Sequence, residues 1–431
     1  MTRPDQDAET PAGPSERAFV LHPDITSTPD RRDAKAGLEE AVALAEALPG
    51  LEIVGSEVVG LRAPQPGTLF GSGKLEELKT RIKAADVGLV LVDGPVTPVQ
   101  QRNLEKEWGV KLLDRTGLIL EIFADRAATR EGVLQVELAA LSYQRTRLVR
   151  AWTHLERQRG GLGFVGGPGE TQIEADRRAI DDAINRIRRQ IEKVVKTRAL
   201  HRASRAKVPF PVVALVGYTN AGKSTLFNRL TGAEVLAKDM LFATLDPTMR
   251  GVTLTTGQKV ILSDTVGFIS DLPHQLVAAF RATLEEVLSA DLICHVRDIS
   301  HAETDEQAED VETILHELGV GDETPRLEIW NKIDLVPDAA REPLEVLAAR
   351  REDVLTLSAW TGEGMEALVE RVTEALDGVR TETTLTLGFA EGRQHAWLHE
   401  QRVVTDERQT ETGWEIDVRW TPTQERRFGD L

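Results

Sequence analysis

Short apolar runs alternate with amphipathic segments over the first quarter of the chain. Residues 18–21 and 87–92 are apolar runs typical of buried strands, and residues 34–48 have the Ala/Leu/Glu-rich composition of a helix. Strand–helix alternation of this kind favours a small open α/β sheet. The same pattern predicts further strands at 51–61 and 110–113 and further helices at 75–85 and 99–108.

A helical hairpin is predicted next, because two segments carry apolar residues at alternating steps of three and four. The first runs from Leu134 to Leu155 with Arg145 interrupting it, and the second runs from Ile173 to Val194. A period of 3.5 residues is typical of two helices packed as a short coiled coil. The glycine-rich residues 160–170 between them predict a mobile tip.

Charge is distributed unevenly along this chain of 431 residues, whose net charge is −18. Such acidity argues against a nucleic-acid partner for the molecule as a whole. Residues 141–208, however, hold 16 Lys and Arg against 7 Asp and Glu, so the predicted hairpin is basic. This basic segment fits either a solvated helical face or a surface for RNA phosphates.

The composition is that of a globular chain without disulfides. Apolar residues make up 41% and charged residues 28%, which is ordinary for soluble proteins. The single cysteine, Cys294, lies in an apolar run and indicates buried strand filler in a reducing compartment. The N-terminus lacks the apolar core of a signal peptide, and no apolar run approaches the roughly 20 residues that span a bilayer. We therefore expect a cytoplasmic protein without integral membrane contact.

The strongest functional signal is a glycine loop between a strand and a helix. The apolar run 213–216 leads into residues 217–224, which match G-x-x-x-x-G-K-[ST]. In this context the backbone N–H groups of the loop surround phosphate oxygens, and the helix N-terminus adds a favourable dipole. Lys223 supplies positive charge to the outer phosphates, and the Ser224 hydroxyl can ligate Mg²⁺.

Two further motifs fit the triphosphate end of such a site. Residues 242–247 include Thr244, which can complete the Mg²⁺ shell when triphosphate is bound. The apolar run before residue 264 ends in D-x-x-G. There Asp264 can hold Mg²⁺ through water, and the Gly267 N–H can contact the γ-phosphate and sense its loss.

Two more motifs fit the base. The N-K-x-D sequence at 331–334 presents Asp334, which can accept hydrogen bonds from N1–H and the 2-amino group of guanine. Adenine lacks that donor pair, so this motif selects GTP. Ser358 and Ala359 end a predicted strand where backbone N–H groups can reach guanine O6. All five motifs together predict a guanine-nucleotide-binding domain.

The predicted site is assigned in full as follows. The predicted GTP-binding residues are Gly217, Tyr218, Thr219, Asn220, Ala221, Gly222, Lys223, Ser224, Phe242, Ala243, Thr244, Leu245, Asp246, Asp264, Thr265, Val266, Gly267, Asn331, Lys332, Ile333, Asp334, Ser358 and Ala359. Of these, Lys223, Thr244, Gly267 and Asn220 are predicted to act in catalysis, and Ser224 and Thr244 to ligate Mg²⁺.

One absence predicts slow intrinsic hydrolysis. Ras-type GTPases carry a glutamine directly after D-x-x-G that orients the attacking water, whereas this chain has Phe268. A partner or an ion must then supply the catalytic contribution of the missing glutamine. Asn220 can help to hold K⁺, as in other GTPases with N-x-G-K in the P-loop, or it can simply shape the loop.

The predicted architecture is an α/β chain with several domains. A small α+β C-terminal domain is indicated by alternating residues such as 414–420 and by a helix near 394–400. The predicted boundaries are a disordered tail at 1–15, an N-terminal α/β domain at 16–125, a helical hairpin with a glycine-rich tip at 126–207, a P-loop GTPase domain at 208–379 and the C-terminal domain at 380–431.

The motif residues resemble those of the HflX GTPases, in the Obg–HflX group of ribosome-associated GTPases. The resemblance spans about residues 17–378, and the tail is compatible with the variable C-terminal domain of that family. The G-P-G-E-T-Q element is specific to HflX proteins. The residues that carry it are 217–224, 242–247, 264–268, 167–172, 176–178 and 100–104.

The resemblance implies a GTPase that binds the large ribosomal subunit and dissociates stalled or idle ribosomes under stress. It implies that the first domain and the hairpin face the ribosome, which stimulates hydrolysis. Some members hydrolyse ATP through the first domain. In this chain only the weak glycine motif at 71–74 supports such an activity. Many members have an arginine just before G-P-G-E, where this chain has Gly166 and Gly167.

Two other functions fit the same nucleotide motifs. One is a GTP-regulated RNA-binding or ribosome-assembly factor that splits nothing. The other is a GTPase with a non-ribosomal partner, in which the hairpin is a protein-binding coiled coil. The sequence leaves open the triggering stress, K⁺ dependence, ATP use, the role of the C-terminal domain and the oligomeric state, for which a monomer is expected.

Overall fold

The structure is a computed structural model that describes most of the chain. Three sequence expectations lie outside the described residues: most of the predicted tail, most of the hairpin tip, and Ala243 with Asp246. The described ranges are 15–27, 32–158, 168–205, 210–233, 241–242, 244–245, 248–254, 257–270, 287–321, 324–377, 381–401, 403–420 and 422–429.

The chain divides into two compact units. The second contains the described residues from Val195 onward except a short segment that belongs to the first. The first therefore holds the described residues up to Val194 together with Leu241, Phe242, Thr244 and Leu245. The predicted α/β class is confirmed, while the bounds of the five predicted segments stay predictions.

The first unit contains a four-stranded parallel sheet of order β2-β1-β3-β4. Side chains such as Phe70 and Leu78 form an apolar core with the sheet. The predicted strands and helices are confirmed, and helix α2 begins at Ser72, earlier than the predicted start at 75, with Gly71 as its N-cap. The elements are β1 (Glu16–Ile25), α1 (Ala34–Glu46), β2 (Leu51–Leu61), α2 (Ser72–Ala84), β3 (Leu89–Val92), α3 (Pro98–Trp108), β4 (Lys111–Asp114) and α4 (Arg115–Arg126).

The helical hairpin follows as α5 (Arg130–Gln158) and α6 (Pro168–Arg205). Arg145, which interrupts the apolar spacing of α5, forms an ion pair with Asp181 of α6 at 2.6 Å. The two helices are therefore joined by a polar contact at this point of the seam. Among the described helices, even these two long ones lack the continuous apolar stretch that a membrane crossing requires.

The second unit is built on a six-stranded sheet of order β10-β9-β8-β5-β7-β6. Its strands are parallel except β6, which pairs antiparallel with β7. Cys294 is buried in β8, and burial raises its thiol pKa to about 12, so the prediction of buried strand filler is confirmed. The elements are β5 (Val212–Gly217), α7 (Lys223–Thr231), β6 (Thr248–Thr253), β7 (Lys259–Asp264), β8 (Leu292–Asp298), α8 (Thr304–Leu318), β9 (Arg326–Asn331), α9 (Asp338–Ala349), β10 (Val354–Thr356) and α10 (Met365–Asp377).

The end of the chain forms a three-stranded antiparallel sheet with two helices. Alternate residues of its central strand, such as Ile416 and Val418, are fully buried and pack with Leu398 of the first helix. This confirms the predicted α+β appendage and its helix near 394–400. The elements are β11 (Thr381–Gly388), α11 (Gly392–Glu400), β12 (Val404–Gln409), β13 (Gly413–Trp420) and α12 (Pro422–Gly429).

Candidate nucleotide site

The motif residues of the second unit meet at one edge of its sheet. Strand β5 ends at Gly217, β7 at Asp264 and β9 at Asn331, while Ser358 follows β10 by two residues. Because these strands are parallel, their carboxyl ends lie on the same side, where open α/β sheets bind ligands.

The P-loop joins β5 to α7 through a left-handed turn at Gly222. This glycine has φ +93°, and a Cβ placed there would lie 2.2 Å from Asn331 Nδ2. Only glycine combines that backbone conformation with such a close neighbour. The following helix begins at Lys223, so its first N–H groups face the loop as an anion-binding site requires.

Lys223 is held inside the loop. Its ammonium group donates to the carbonyl oxygens of Tyr218 at 2.7 Å and Gly217 at 3.1 Å. Burial lowers its pKa to about 8, Asp264 opposes that shift and Lys332 adds to it. A phosphate anion would favour the charged ammonium and raise this pKa again.

Oxygen atoms suited to Mg²⁺ lie next to each other where β7 ends and α7 begins. The Ser224 hydroxyl donates to Asp264 Oδ2 at 2.7 Å, and Asp264 is fully buried. A hydroxyl and a carboxylate beside a phosphate loop are the hard oxygen ligands that Mg²⁺ takes. The residues present therefore fit this ion.

The D-x-x-G segment is bonded directly to the P-loop. Thr219 N–H donates to the Phe268 carbonyl oxygen at 2.7 Å, and Phe268 N–H donates to that of Gly217 at 3.1 Å. A Cβ on Gly267 would lie 2.8 Å from Thr219 Cα, so this approach needs glycine. The Phe268 side chain is buried. It lies in the core, where it cannot orient a water molecule.

Asn331 connects two loops of the site. Its side-chain Nδ2 donates to the Ala221 carbonyl oxygen at 2.8 Å, and its Oδ1 accepts from Ala359 N–H at 2.9 Å. The residue is buried. In this structure Asn331 therefore connects the P-loop to the loop that follows β10. Its contact with guanine stays a prediction.

The other base-recognition residues are placed around Asn331. Lys332 has φ +65° and pairs with Asp298 Oδ2 at 2.8 Å. Asp334 lies in a 3₁₀ turn that spans Ile333–Leu335, and it is exposed. Among the described residues its carboxylate has no hydrogen-bond or ion-pair partner, which leaves it available for a base.

The segment around Thr244 belongs to the first unit. Phe242 has φ +54° and is buried with its ring against Phe123 of α4. Thr244 and Leu245 are also buried. The predicted contacts of these residues with Mg²⁺ and triphosphate stay predictions.

Asn220 lies at the outer turn of the P-loop with φ +59° and is exposed. Asparagine adopts this left-handed conformation more readily than most residues. The loop-shaping interpretation of Asn220 therefore has direct support, and a contact with K⁺ stays a prediction. The remaining predicted site residues that the structure describes, Thr265, Val266 and Ile333, are buried beside these loops.

Two residues of the site were missed by the sequence interpretation. Arg229 of α7 donates to the Ala359 carbonyl oxygen at 2.7 Å, and Asp298 holds Lys332. Asp298 ends the apolar strand β8, a position that the strand-end rule could have identified. Arg229 has no comparable signal, since its partner is 130 residues away.

This sheet, with a P-loop, a D-x-x-G segment and an N-K-x-D segment at one edge, defines a P-loop guanine-nucleotide-binding protein. Family models match four regions: GTP-binding GTPase N-terminal at 35–124, GTP-binding GTPase middle region at 126–205, 50S ribosome-binding GTPase at 212–332 and HflX C-terminal domain at 344–431.

Named relatives match almost the whole chain. A GTPase HflX of Magnetococcus marinus is 50% identical over 94% of this chain and 91% of its own length, and the Escherichia coli GTPase HflX is 44% identical over 92% of each. A solved GTP-binding protein of Sulfolobus solfataricus in complex with GDP matches at 25% identity, covering 84% of this chain and 98% of that chain with a TM-score of 0.46. The chain belongs to the HflX family of GTPases, enzymes that hydrolyse GTP.

Proposed function

We propose that this GTPase binds the large ribosomal subunit in its GTP-bound form and uses the GTP cycle to separate ribosomal subunits under stress. The family model that matches residues 212–332 is described as a 50S ribosome-binding GTPase, which supports the choice of partner. A switch of this kind requires that the GTP and GDP forms differ in their affinity for the ribosome.

The basic surface of α6 carries the proposal. Arg177 and Arg178 pair with carboxylates of their own helix. Further along, Arg186, Arg188 and Arg189 are exposed, and none of them has an ion-pair partner among the described residues. We call these three the α6 arginine patch.

Unpaired arginines favour phosphate contacts. Each phosphate that a guanidinium neutralises releases condensed counterions, which makes binding to nucleic acid favourable and salt-dependent. Ile184 and Ile187 on the same helix are buried. The helix therefore has one face for packing and leaves the α6 arginine patch for ribosomal RNA.

The nucleotide site supports slow hydrolysis that a partner accelerates. Lys223 would neutralise phosphate charge, and the Gly267 N–H would contact the γ-phosphate. Ser224 and Thr244 would ligate Mg²⁺, with Asp264 holding it through water; the bound ion would neutralise developing charge on the phosphate oxygens. Because Phe268 is buried, the orientation of the attacking water would come from the ribosome, with K⁺ near Asn220 as a further contribution.

Sedimentation of intact ribosomes with the protein tests this proposal. With GTP or a non-hydrolysable analogue the protein is expected to release free subunits, and with GDP it is expected to release few. Replacement of the α6 arginine patch by glutamine should weaken binding to large subunits and lower the slope of log affinity against log salt by up to about 3.

A matched variant controls for charge. Arg350, Arg393 and Arg419 are exposed arginines of the second unit, and their replacement by glutamine should leave the salt slope unchanged. Tight binding without subunit release would favour the assembly-factor function instead. A binding affinity that does not change with salt concentration would favour a protein partner for the hairpin.

A further inference from the structure

Two histidines and a glutamate converge in the C-terminal module. His395 and His399 are one helical turn apart on α11, and Glu407 lies on β12. The Nε2 atoms of His395 and His399 lie 2.7 and 2.9 Å from the two carboxylate oxygens of Glu407. The GTP cycle described above uses none of these residues.

The position of Glu407 is unusual for its strand. It lies opposite Ile416 in the antiparallel pairing of β12 with β13, and opposite residues share one face of a sheet. Ile416 is fully buried in the module core. Glu407 therefore presents a carboxylate on the apolar, helix-covered face, where packing alone would select an apolar side chain.

The rings are held in place before any ligand binds. His395 stacks on Trp414 with ring centroids 4.4 Å apart and planes at 20°, and it meets the His399 ring at 4.8 Å. Glu407 contacts the two imidazoles through separate carboxylate oxygens. The three side chains are thus oriented as a group.

The donor set matches one class of ligand. One ligand atom from each residue lies within 4.8 Å of the others, and a tetrahedral ion with bonds of about 2.0–2.2 Å separates its ligands by roughly 3.3 Å. Imidazole nitrogens favour zinc and neighbouring transition metals, while Mg²⁺ and Ca²⁺ favour all-oxygen sites. His399 is about half exposed, with 47% of its side chain accessible, so an ion could enter from solvent.

We propose that His395, His399 and Glu407 form a binding site for a transition-metal dication of the zinc class. The ion would replace the two hydrogen bonds, join α11 to β12, and keep its fourth position for water. Two histidine nitrogens and one carboxylate with an open position are a combination that zinc occupies in proteins.

Calorimetric titration of the tag-free full chain with Zn²⁺ tests the site. The protein is first treated with a chelator and then loaded with Mg·GDP, so that the nucleotide site does not take up the titrant. One equivalent of Zn²⁺ is expected to bind, with millimolar Mg²⁺ or Ca²⁺ unable to compete. Co²⁺ in its place should give the visible absorption of a low-coordinate nitrogen–oxygen complex.

Three variants assign the binding to these residues. H399Q and E407Q should each weaken Zn²⁺ binding by at least about a hundredfold, because loss of even an outer-shell partner costs about 10–100-fold. H316Q removes another exposed helical histidine and should bind as the unaltered chain does. Unaltered GDP affinity and circular dichroism establish that each variant is folded.

Two results would overturn the proposal of a metal site. One is the absence of stoichiometric Zn²⁺ binding by the unaltered chain, which needs no variant. The other is retention of full affinity in both H399Q and E407Q, which would place the bound ion elsewhere.

Discussion

The phenyl ring of Phe242 meets that of Phe123 edge to face, with centroids 4.7 Å apart and planes at 80°. Phe242 lies two residues before Thr244, the predicted Mg²⁺ ligand, whereas Phe123 belongs to α4 beside the N-terminal sheet. The segment that is predicted to respond to the γ-phosphate is thus packed within the first unit.

This contact predicts that α4 responds to whether GTP or GDP is bound. In F123L, loss of the aromatic pair, about 0.5–1.5 kcal/mol, should loosen the Phe242 segment and shrink the GTP-over-GDP preference for large subunits by up to about tenfold. F70L, a similar loss at another buried position of the N-terminal core, should keep that preference. An equal preference in F123L and the unaltered chain, measured by sedimentation with each nucleotide, would contradict the coupling.

The contact between Ser224 and Asp264 predicts Mg²⁺ dependence. D264N should lower the apparent Mg²⁺ affinity of the GTP complex by about 10–100-fold, the usual effect of an outer-shell carboxylate, and S224A by at least as much. Mg²⁺ titration of fluorescent GTP-analogue binding measures both. S263A is the matched control, because the Ser263 hydroxyl is buried without a hydrogen-bond partner in the described part of the chain. A D264N protein with ordinary Mg²⁺ affinity would exclude this role.

The pKa of Lys223, lowered to about 8 by burial, predicts a pH effect on nucleotide binding. Above pH 8 the empty site holds a neutral amine, and phosphate binding must take up a proton. GDP affinity should therefore be flat below pH 8 and fall above it, by at most about tenfold per pH unit. Binding measured from pH 7 to 9 checks this.

Arginine at the same position is the control for that pH effect. Arginine stays charged throughout this range, so K223R should bind more weakly at every pH but without the added slope. Ionisation of the guanine itself would affect both proteins equally. The same slope in both would show that Lys223 does not titrate.

The exposed carboxylate of Asp334 predicts base specificity. D334N loses two hydrogen bonds to a charged acceptor, worth about 1.5–3 kcal/mol each. GDP affinity should then fall by about 10²–10⁴-fold, with xanthosine diphosphate gaining because its 2-oxo group accepts from an amide. D338N changes another exposed carboxylate nearby and should bind GDP normally. Competition assays with GDP and xanthosine diphosphate measure this preference. An unchanged preference for guanine in D334N would refute the assignment of Asp334 to base recognition.

The sequence predicted the elements whose periodicity is clear and missed those without it. Strand β2 has the predicted bounds of 51–61. Helix α4 was missed because residues 118–123 are almost continuously apolar and lack a helical stripe. Its start was nevertheless signalled by Asp114, whose carboxylate accepts from Gly117 N–H at 2.8 Å.

The site was predictable by residue type more than by contact. The motifs identified Asn331 as a site residue but gave no sign that its amide is occupied by backbone groups of Ala221 and Ala359. The same holds for Phe242, whose partner Phe123 comes from another domain of the sequence prediction. Contacts of this kind depend on how distant segments meet, which local patterns do not encode.

The large ribosomal subunit is expected to supply the catalytic help that Phe268 cannot give. The most direct test is GTP turnover with and without purified large subunits, in K⁺ and again in Na⁺. We expect slow turnover alone in either ion and strong stimulation by the subunits, with K⁺ adding to it. Full activity in K⁺ without subunits, or no response to the subunits in either ion, would contradict the claim.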